Sequence, residues 1–217
     1  MQAGAGQTGP QGASASGVPV TPVPLVVAVT GHRDLVESEL PAIRERVRAF
    51  MADLEQRYPD LPVVVMSGLA AGADSLVAEE ALALGLKLIA ALPMPRDLYA
   101  EDFATGPERE RFDELCARAH EVIELPFTPG NTADLAREHG HNRDRQYAQL
   151  GVFLSAHCHV LLALWDGRNS GELGGTAAVV NFHQNDMMPG YTSRAAASQR
   201  MLADDESDLV YHIVCSR

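Results

Sequence analysis

The sequence predicts an α/β fold: a Rossmann-like, doubly wound, mostly parallel sheet in a single domain. Three observations predict it. Short, unbroken, β-branched apolar runs alternate with stretches of helical periodicity, the rhythm of strands joined by crossover helices. Glycine-bearing loops follow three of those runs, at the sheet edge where such folds bind ligands. Ala, Leu, Val and Gly dominate a chain of 217 residues that is 46% hydrophobic and 6% aromatic, as suits helices packed on a buried parallel sheet.

Residues 1–22 carry no charge and no periodicity, and are Gly, Ala, Ser, Gln, Thr and Pro almost throughout. Such a segment buries too little apolar surface to offset its ordering entropy, so a disordered leader is expected before a domain over 23–217. Leu25 to Val29 is the first buried strand, ending in Thr30-Gly31. A helix follows, with Ser38 as its expected cap and Ile43, Val47, Phe50, Met51 and Leu54 at helical spacing. Val63 to Met66 is a second strand, residues 73–84 a second helix closed by Gly85, and Lys87 to Leu92 a third strand stopped by Pro93. Residues 96–107 read as an irregular, lid-like loop before a helix over 108–119. Val122 to Leu125 is a short strand, 133–156 one long helix, and His159 to Trp165 the strongest strand. A loop over 166–175 leads to a helix over 175–184. Residues 185–208 have no readable pattern, and Leu209 to Val214 is strand-like. Ending directly after an apolar strand suggests that the natural chain continues beyond Arg217.

The first candidate loop is Thr30-Gly31-His32-Arg33-Asp34. Gly31 permits a sharp turn or a close approach, and His32 and Arg33 bring donors to the place an anion would occupy. The second is Ser67-Gly68-Leu69-Ala70-Ala71-Gly72-Ala73-Asp74. Small residues between a strand and a helix start can cradle a phosphate on free helix N–H groups. Asp74 there either caps the helix or binds a ribose hydroxyl or an amine. The spacing matches neither GxGxxG nor the P-loop pattern. The third runs from Asp166-Gly167 to Gly174-Gly175-Thr176, with two glycines for close approach and a hydroxyl at a helix start. A polar cluster, Asn142-Arg143-Asp144-Arg145-Gln146-Tyr147, is either a solvated helix turn or a further ligand contact through Arg143.

Together the motifs resemble the SLOG superfamily, named for the DNA-processing protein A and Lonely-guy proteins. The resemblance rests on Val29-Thr30-Gly31-His32-Arg33, on Ser67-Gly68 with Gly72-Ala73-Asp74, and on Leu164-Trp165-Asp166-Gly167 before Gly174-Gly175-Thr176-Ala177, and covers residues 24–183. It implies a Rossmann-like domain that binds nucleotides or nucleotide-derived molecules. Some members are phosphoribohydrolases, some are sensor domains of bacterial signalling or antiviral systems, and others bind single-stranded DNA. The hydrolase branch carries PGGxGTxxE. Here Gly175-Thr176 matches its GT step, but Ala177, Ala178 and Val179 follow, so the glutamate has no acidic counterpart, and no proline precedes the glycines. Without that carboxylate the charge developing on the ribose has no partner, which favours binding over hydrolysis. Related domains often pair, so a homodimer and a fused or adjacent effector are further expectations.

The formal net charge of -12 argues against a phosphate-backbone binder, so a small-molecule nucleotide ligand and no nucleic-acid partner are expected. Phosphoribohydrolase or N-glycosidase action, through Glu172 or Asp166, and single-stranded DNA binding stay as alternatives. Cys116, Cys158 and Cys215 are odd in number and lack CxxC spacing, which reads as reduced, mostly buried thiols. His139, His141, His157 and His159 form two HxH pairs without a matching metal-ligand pattern, so no metal is expected, and no GxSxG elbow occurs. No cofactor beyond the nucleotide is implied. No apolar run is long enough for a membrane span and no basic-then-apolar leader occurs, so a cytoplasmic location is expected.

Overall fold

A computed structural model of the chain describes residues 22–103, 106–169, 171–192 and 209–217. The expected leader, apart from residue 22, and most of the unreadable stretch 185–208 lie outside the described residues. Six strands form one sheet: β1 (Leu25–Gly31), β2 (Val63–Ser67), β3 (Lys87–Leu92), β4 (Glu121–Glu124), β5 (Val160–Trp165) and β6 (Leu209–Val214). Their order is β4-β3-β2-β1-β5-β6, and every pairing is parallel. The chain therefore builds outward from β1 to β4, then returns to place β5 on the other side of β1. In register, Thr30 lies beside Ala163 and Gly31 beside Leu164. The strand order reverses between β1 and β5, so a crevice opens at their carboxyl ends.

Helices cover both faces, which is why the strands read as unbroken apolar runs. Side chains alternate along β1. Val27 and Val29 pack with α1 (Leu40–Arg57) and α2 (Ala73–Ala83), while Ala28 packs with α6 (His141–Ala156) and α7 (Thr176–Asn185). α1 buries Ile43, Val47, Phe50, Met51 and Leu54, a stripe of spacing three and four. Each large apolar side chain buried this way contributes about 1.5–3 kcal/mol. Across the α1–α2 seam, Glu80 is 2% exposed and accepts from Arg44 and Arg48. On the other face His159 Nδ1 accepts the Val26 amide at 3.0 Å, tying the two central strands at their starts.

Three local expectations are corrected. Ser38 caps nothing: a 3-10 turn over Glu37–Glu39 leads into α1, which starts at Leu40 with Pro41 in its first turn. The loop over 96–107 is partly helical, with α3 (Arg96–Tyr99) running into a 3-10 turn over Ala100–Asp102, before α4 (Pro107–Arg118). The helix over 133–156 is two helices, α5 (Ala133–Arg137) and α6, because Gly140 sits at φ +130, which breaks any helix and which a side chain strains to reach. Cys116 and Cys215 are buried thiols, and burial pushes each up to about 11. No helix among the described residues is long and apolar enough to cross a membrane.

Candidate functional site

A cleft of about 590 Å³ opens at the carboxyl ends of β1 and β5. Its walls are the loop after β1, Asp74 of α2, Tyr99 and Asp102, the first turns of α6, and the loop into α7. Of the sequence-predicted residues, Gly31, His32, Arg33, Asp74, Arg143, Gly174, Gly175 and Thr176 line it. Ser67, Gly68, Gly72, Ala73, Asp166 and Gly167 do not line it; Gly72 lines a smaller cleft that shares Arg33, and Gly167 is exposed.

The first two loops interlock through their backbones. A β-carbon on Gly31 would meet the Ala73 β-carbon at 2.4 Å and the Leu164 carbonyl oxygen at 2.6 Å. A β-carbon on Gly72, at φ +79, would meet the Arg33 carbonyl oxygen at 2.1 Å and the His32 carbonyl oxygen at 2.5 Å. The Ala73 amide donates to His32 O at 3.0 Å, and the Ser75 amide to Ala70 O at 3.1 Å. Ser67 Oγ accepts the Leu69 amide at 3.1 Å. This corrects the expectation of a phosphate cradle with free N–H groups at 67–74. The start of α2 bonds to protein, and Ala70 and Asp74 are what that loop offers the cleft.

The third loop is different. Gly174, at φ +74, rests on the backbone of Tyr147 and Ala148, where a β-carbon would come within 2.8 Å. That contact draws the α7 N-terminus against α6. Gly175 is the N-cap and has no side chain to bond the first-turn amides. Those amides have no carbonyl one turn earlier, so they present a positive dipole end where Thr176 and Ala177 line the cleft. Arg168 and Glu172 line it nearby. Asp166 turns away. Its Oδ1 accepts the Arg168 amide at 3.0 Å and lies 3.2 Å from His32 Nε2, which also accepts the Asp166 amide. The Arg168 amide, with His32 and Arg217, holds the Asp166 carboxyl below its usual range.

At the opposite end, Arg143 is 3% exposed and not a solvated helix residue. Its Nε donates to Asp102 Oδ1 at 2.9 Å and to the Tyr147 hydroxyl at 3.2 Å, and Nη1 donates to Ala136 O. The Tyr147 hydroxyl donates to Asp102 as well. Arg33 lies over the Tyr147 ring, 5.2 Å from its centroid, with Nη2 4.0 Å from Asp102 Oδ2. Half of the Arg33 side chain remains exposed, at 50%.

Burial here moves protons. It pushes the Asp74 carboxyl up to about 7, against the opposing pull of Arg33 and the Ala70 amide. It raises the Tyr99 phenol well above its usual value and the Tyr147 phenol less so, the latter with Asp102 adding to the rise. Burial pulls the Arg33 guanidinium down, and Tyr99, Tyr147 and Asp102 more than offset that, so it stays charged.

Tyr99, Asp102 and Arg217 were missed by sequence reasoning, and Tyr147 was seen only as part of a polar cluster. Nothing in the residues near 96–107 marks Asp102 apart from its neighbour Glu101. The first is 6% exposed as a side chain and the second 46%, a difference that only tertiary packing creates. Among the described residues no group of three or more His, Cys, Asp or Glu could hold a metal ion.

No family model matches the chain, and no curated protein matches its sequence. Among solved structures it is similar to DNA processing protein A from Streptococcus pneumoniae, at 20% identity over 65% of this chain and 41% of that one, TM-score 0.40. It is similar to a structural-genomics target, TM1055, at 13% identity over 64% of this chain and 60% of that one, TM-score 0.38. DNA processing protein A from Helicobacter pylori, described for its single-stranded DNA binding mode, is 19% identical over 70% of this chain and 69% of that one, TM-score 0.33. The chain's own sheet, six parallel strands between helices, is Rossmann-like. The chain spans less than half the length of the pneumococcal protein. At these identities the likeness is one of fold.

One expectation is overturned by these neighbours. The chain was expected to have no nucleic-acid partner, on its net charge of -12, yet a protein of similar fold has a single-stranded DNA binding mode. Net charge describes the far field, whereas a site is governed by the groups within a Debye length. The walls of this cleft carry Arg33, Arg143, Arg168 and Arg217 beside Asp34, Asp74, Asp102, Asp144 and Glu172, so charge of both signs meets a ligand there.

Proposed function

We propose that this domain binds a nucleotide or nucleotide-derived small molecule in the cleft between β1 and β5, and serves as the sensor part of a bacterial signalling or defence system. One observation carries the reading. The uncapped N-terminus of α7 and the half-exposed Arg33 guanidinium open onto the same cleft, at the point where the strand order reverses. Backbone amides at a helix start and a forked guanidinium are the donors that phosphate oxygens match. The cleft volume of about 590 Å³ suits a ligand of nucleotide size.

The test is thermal stabilisation by a panel of mono-, di- and cyclic nucleotides, NAD derivatives and a short single-stranded oligonucleotide. A ligand at about a hundred times its Kd adds roughly 2.7 kcal/mol to stability. A panel without a shift in melting temperature overturns the reading. Base release from a nucleoside monophosphate is the second reading, supported by Glu172 in the cleft wall. Asp166 gives it no support, since it faces His32 and Arg168 instead. Chromatography of the products, with Glu172→Gln beside the natural chain, decides it.

A further inference from the structure

Tyr99, at the end of α3, lines the cleft yet is only 1% exposed. Its ring is clamped by other rings. Phe103 and Phe112 stand edge-on to it at 5.3 and 5.6 Å, and Tyr147 at 6.4 Å. A phenylalanine would fill the same space, so packing explains the ring and leaves the hydroxyl unexplained.

That hydroxyl makes no hydrogen bond to any of the described residues. Among them, the side-chain atoms that are both unpaired and sealed from the surface belong to Thr128, Gln149 and Ser155. The Tyr99 oxygen is unpaired but not sealed. Its direction follows from the charged and titratable groups that act on it, Arg33, Tyr147, Asp74 and Asp102, every one of which lines the cleft. A buried phenol without a protein partner costs free energy that the same ring without oxygen would not. Water satisfies such a hydroxyl while the cleft is open, and a ligand that displaces the water has to replace its bond.

We propose that the Tyr99 hydroxyl is a specificity-determining contact, hydrogen-bonded to an uncharged polar group on the nucleoside part of the ligand. This rests on the nucleotide reading above and deepens it by fixing which end of the ligand lies where. The start of α7 offers N–H donors to the phosphate. At the Tyr99 end the carboxyls of Asp74 and Asp102 act on the phenol, so a phosphate there would face two acidic groups. The group that meets the phenol is therefore an uncharged one, a sugar hydroxyl or a polar base edge, and both share the hydrogen-bonding chemistry that a phenol answers as donor or acceptor. The clamped ring holds the oxygen in place, so a ligand without a partner for it leaves it unpaired.

The experiment is calorimetric titration of the full chain with AMP, GMP, ribose 5-phosphate and inorganic phosphate, for the natural protein and Tyr99→Phe, beside thermal melting of each protein alone. The expected result is that Tyr99→Phe binds AMP or GMP about fivefold or more weaker. Inorganic phosphate, held at the α7 end, should keep its affinity within about twofold. Without ligand the variant should melt less than about 4 °C lower than the natural chain, because no bond within the protein is lost. A weakening that extends to ribose 5-phosphate puts the partner on the sugar, and one confined to the nucleotides puts it on the base; both bear the proposal out. A larger fall in melting temperature shows that the hydroxyl has a partner inside the protein, and overturns the proposal. So does an equal weakening for inorganic phosphate. If AMP and GMP bind the two proteins within fivefold, this inference falls and the nucleotide site stands. If neither binds the natural protein, both fall.

Discussion

A β-carbon on Gly72 would lie 2.1 Å from the carbonyl oxygen of Arg33. The two loops that meet there are one packed unit, closed by the Ala73 amide on His32 O. The position of Arg33 in the cleft is therefore set from beneath by a residue that does not line it.

Gly72→Ala is expected to destabilise the fold by about 2–4 kcal/mol, since it adds a backbone clash to a φ of +79. Urea unfolding measures it. A cost under about 0.5 kcal/mol, the level of an ordinary surface change, would show that the loops are not so joined.

Arg143→Ala leaves Asp102, 6% exposed as a side chain, without its buried pair. The expected cost is about 3–5 kcal/mol. Arg143→Ala together with Asp102→Ala should cost less than the sum of the single changes, because the second removes the stranded charge. Additive costs in a double-mutant cycle would contradict the pairing.

Asp74 should make the protein less stable as pH rises. Its carboxyl titrates near 3.8 when unfolded and at about 7 when folded, so the unfolded state releases its proton first. Stability is full below 3.8 and lost as pH rises through 7, up to about 4 kcal/mol by pH 8. Asp74→Asn lacks this loss. Relative to the natural chain it should gain a few kcal/mol between about pH 4 and 8, and equal melting-temperature differences at both ends would refute the burial argument.

Glu80 should do the opposite. Burial alone would raise its carboxyl, but Arg48 and Arg44 more than offset that and hold it below its usual range. Its contribution is present above pH 4.5 and lost as pH falls through the lowered folded value. Glu80→Gln should cost about 1–3 kcal/mol at neutral pH and progressively less in acid, as followed by denaturation at several pH values.

The central strands were legible because burial on both faces leaves unbroken runs such as Leu25 to Val29, and the three motif loops were legible because each follows such a run. What each glycine does was not. Gly31, Gly72 and Gly174 are needed for approaches to Leu164, Arg33 and Tyr147, residues distant in sequence that only the folded sheet brings together. The break at Gly140 was hidden because it lies in a polar run, Arg137 to Gln146, that a solvated helix turn would also show. Asp102 and Tyr99 were invisible for the same reason as the glycine contacts: their partners Arg143, Tyr147 and Phe112 lie in other elements.

Arg33 separates the ligand site from the scaffold. Its side chain is half exposed, over Tyr147 and 4.0 Å from Asp102, while its backbone carries the contact to Gly72. Arg33→Ala keeps that backbone, and Asp102 keeps Arg143 and Tyr147, so stability should change by no more than about 1 kcal/mol. Loss of a charge-assisted contact should weaken binding of a phosphate-bearing nucleotide by about tenfold to a hundredfold, with a smaller dependence on salt. Arg33→Lys keeps the charge but not the planar fork, and should restore only part of the affinity. Titration of the three proteins at low and high salt checks this, and unchanged affinity in Arg33→Ala would remove the guanidinium from the site.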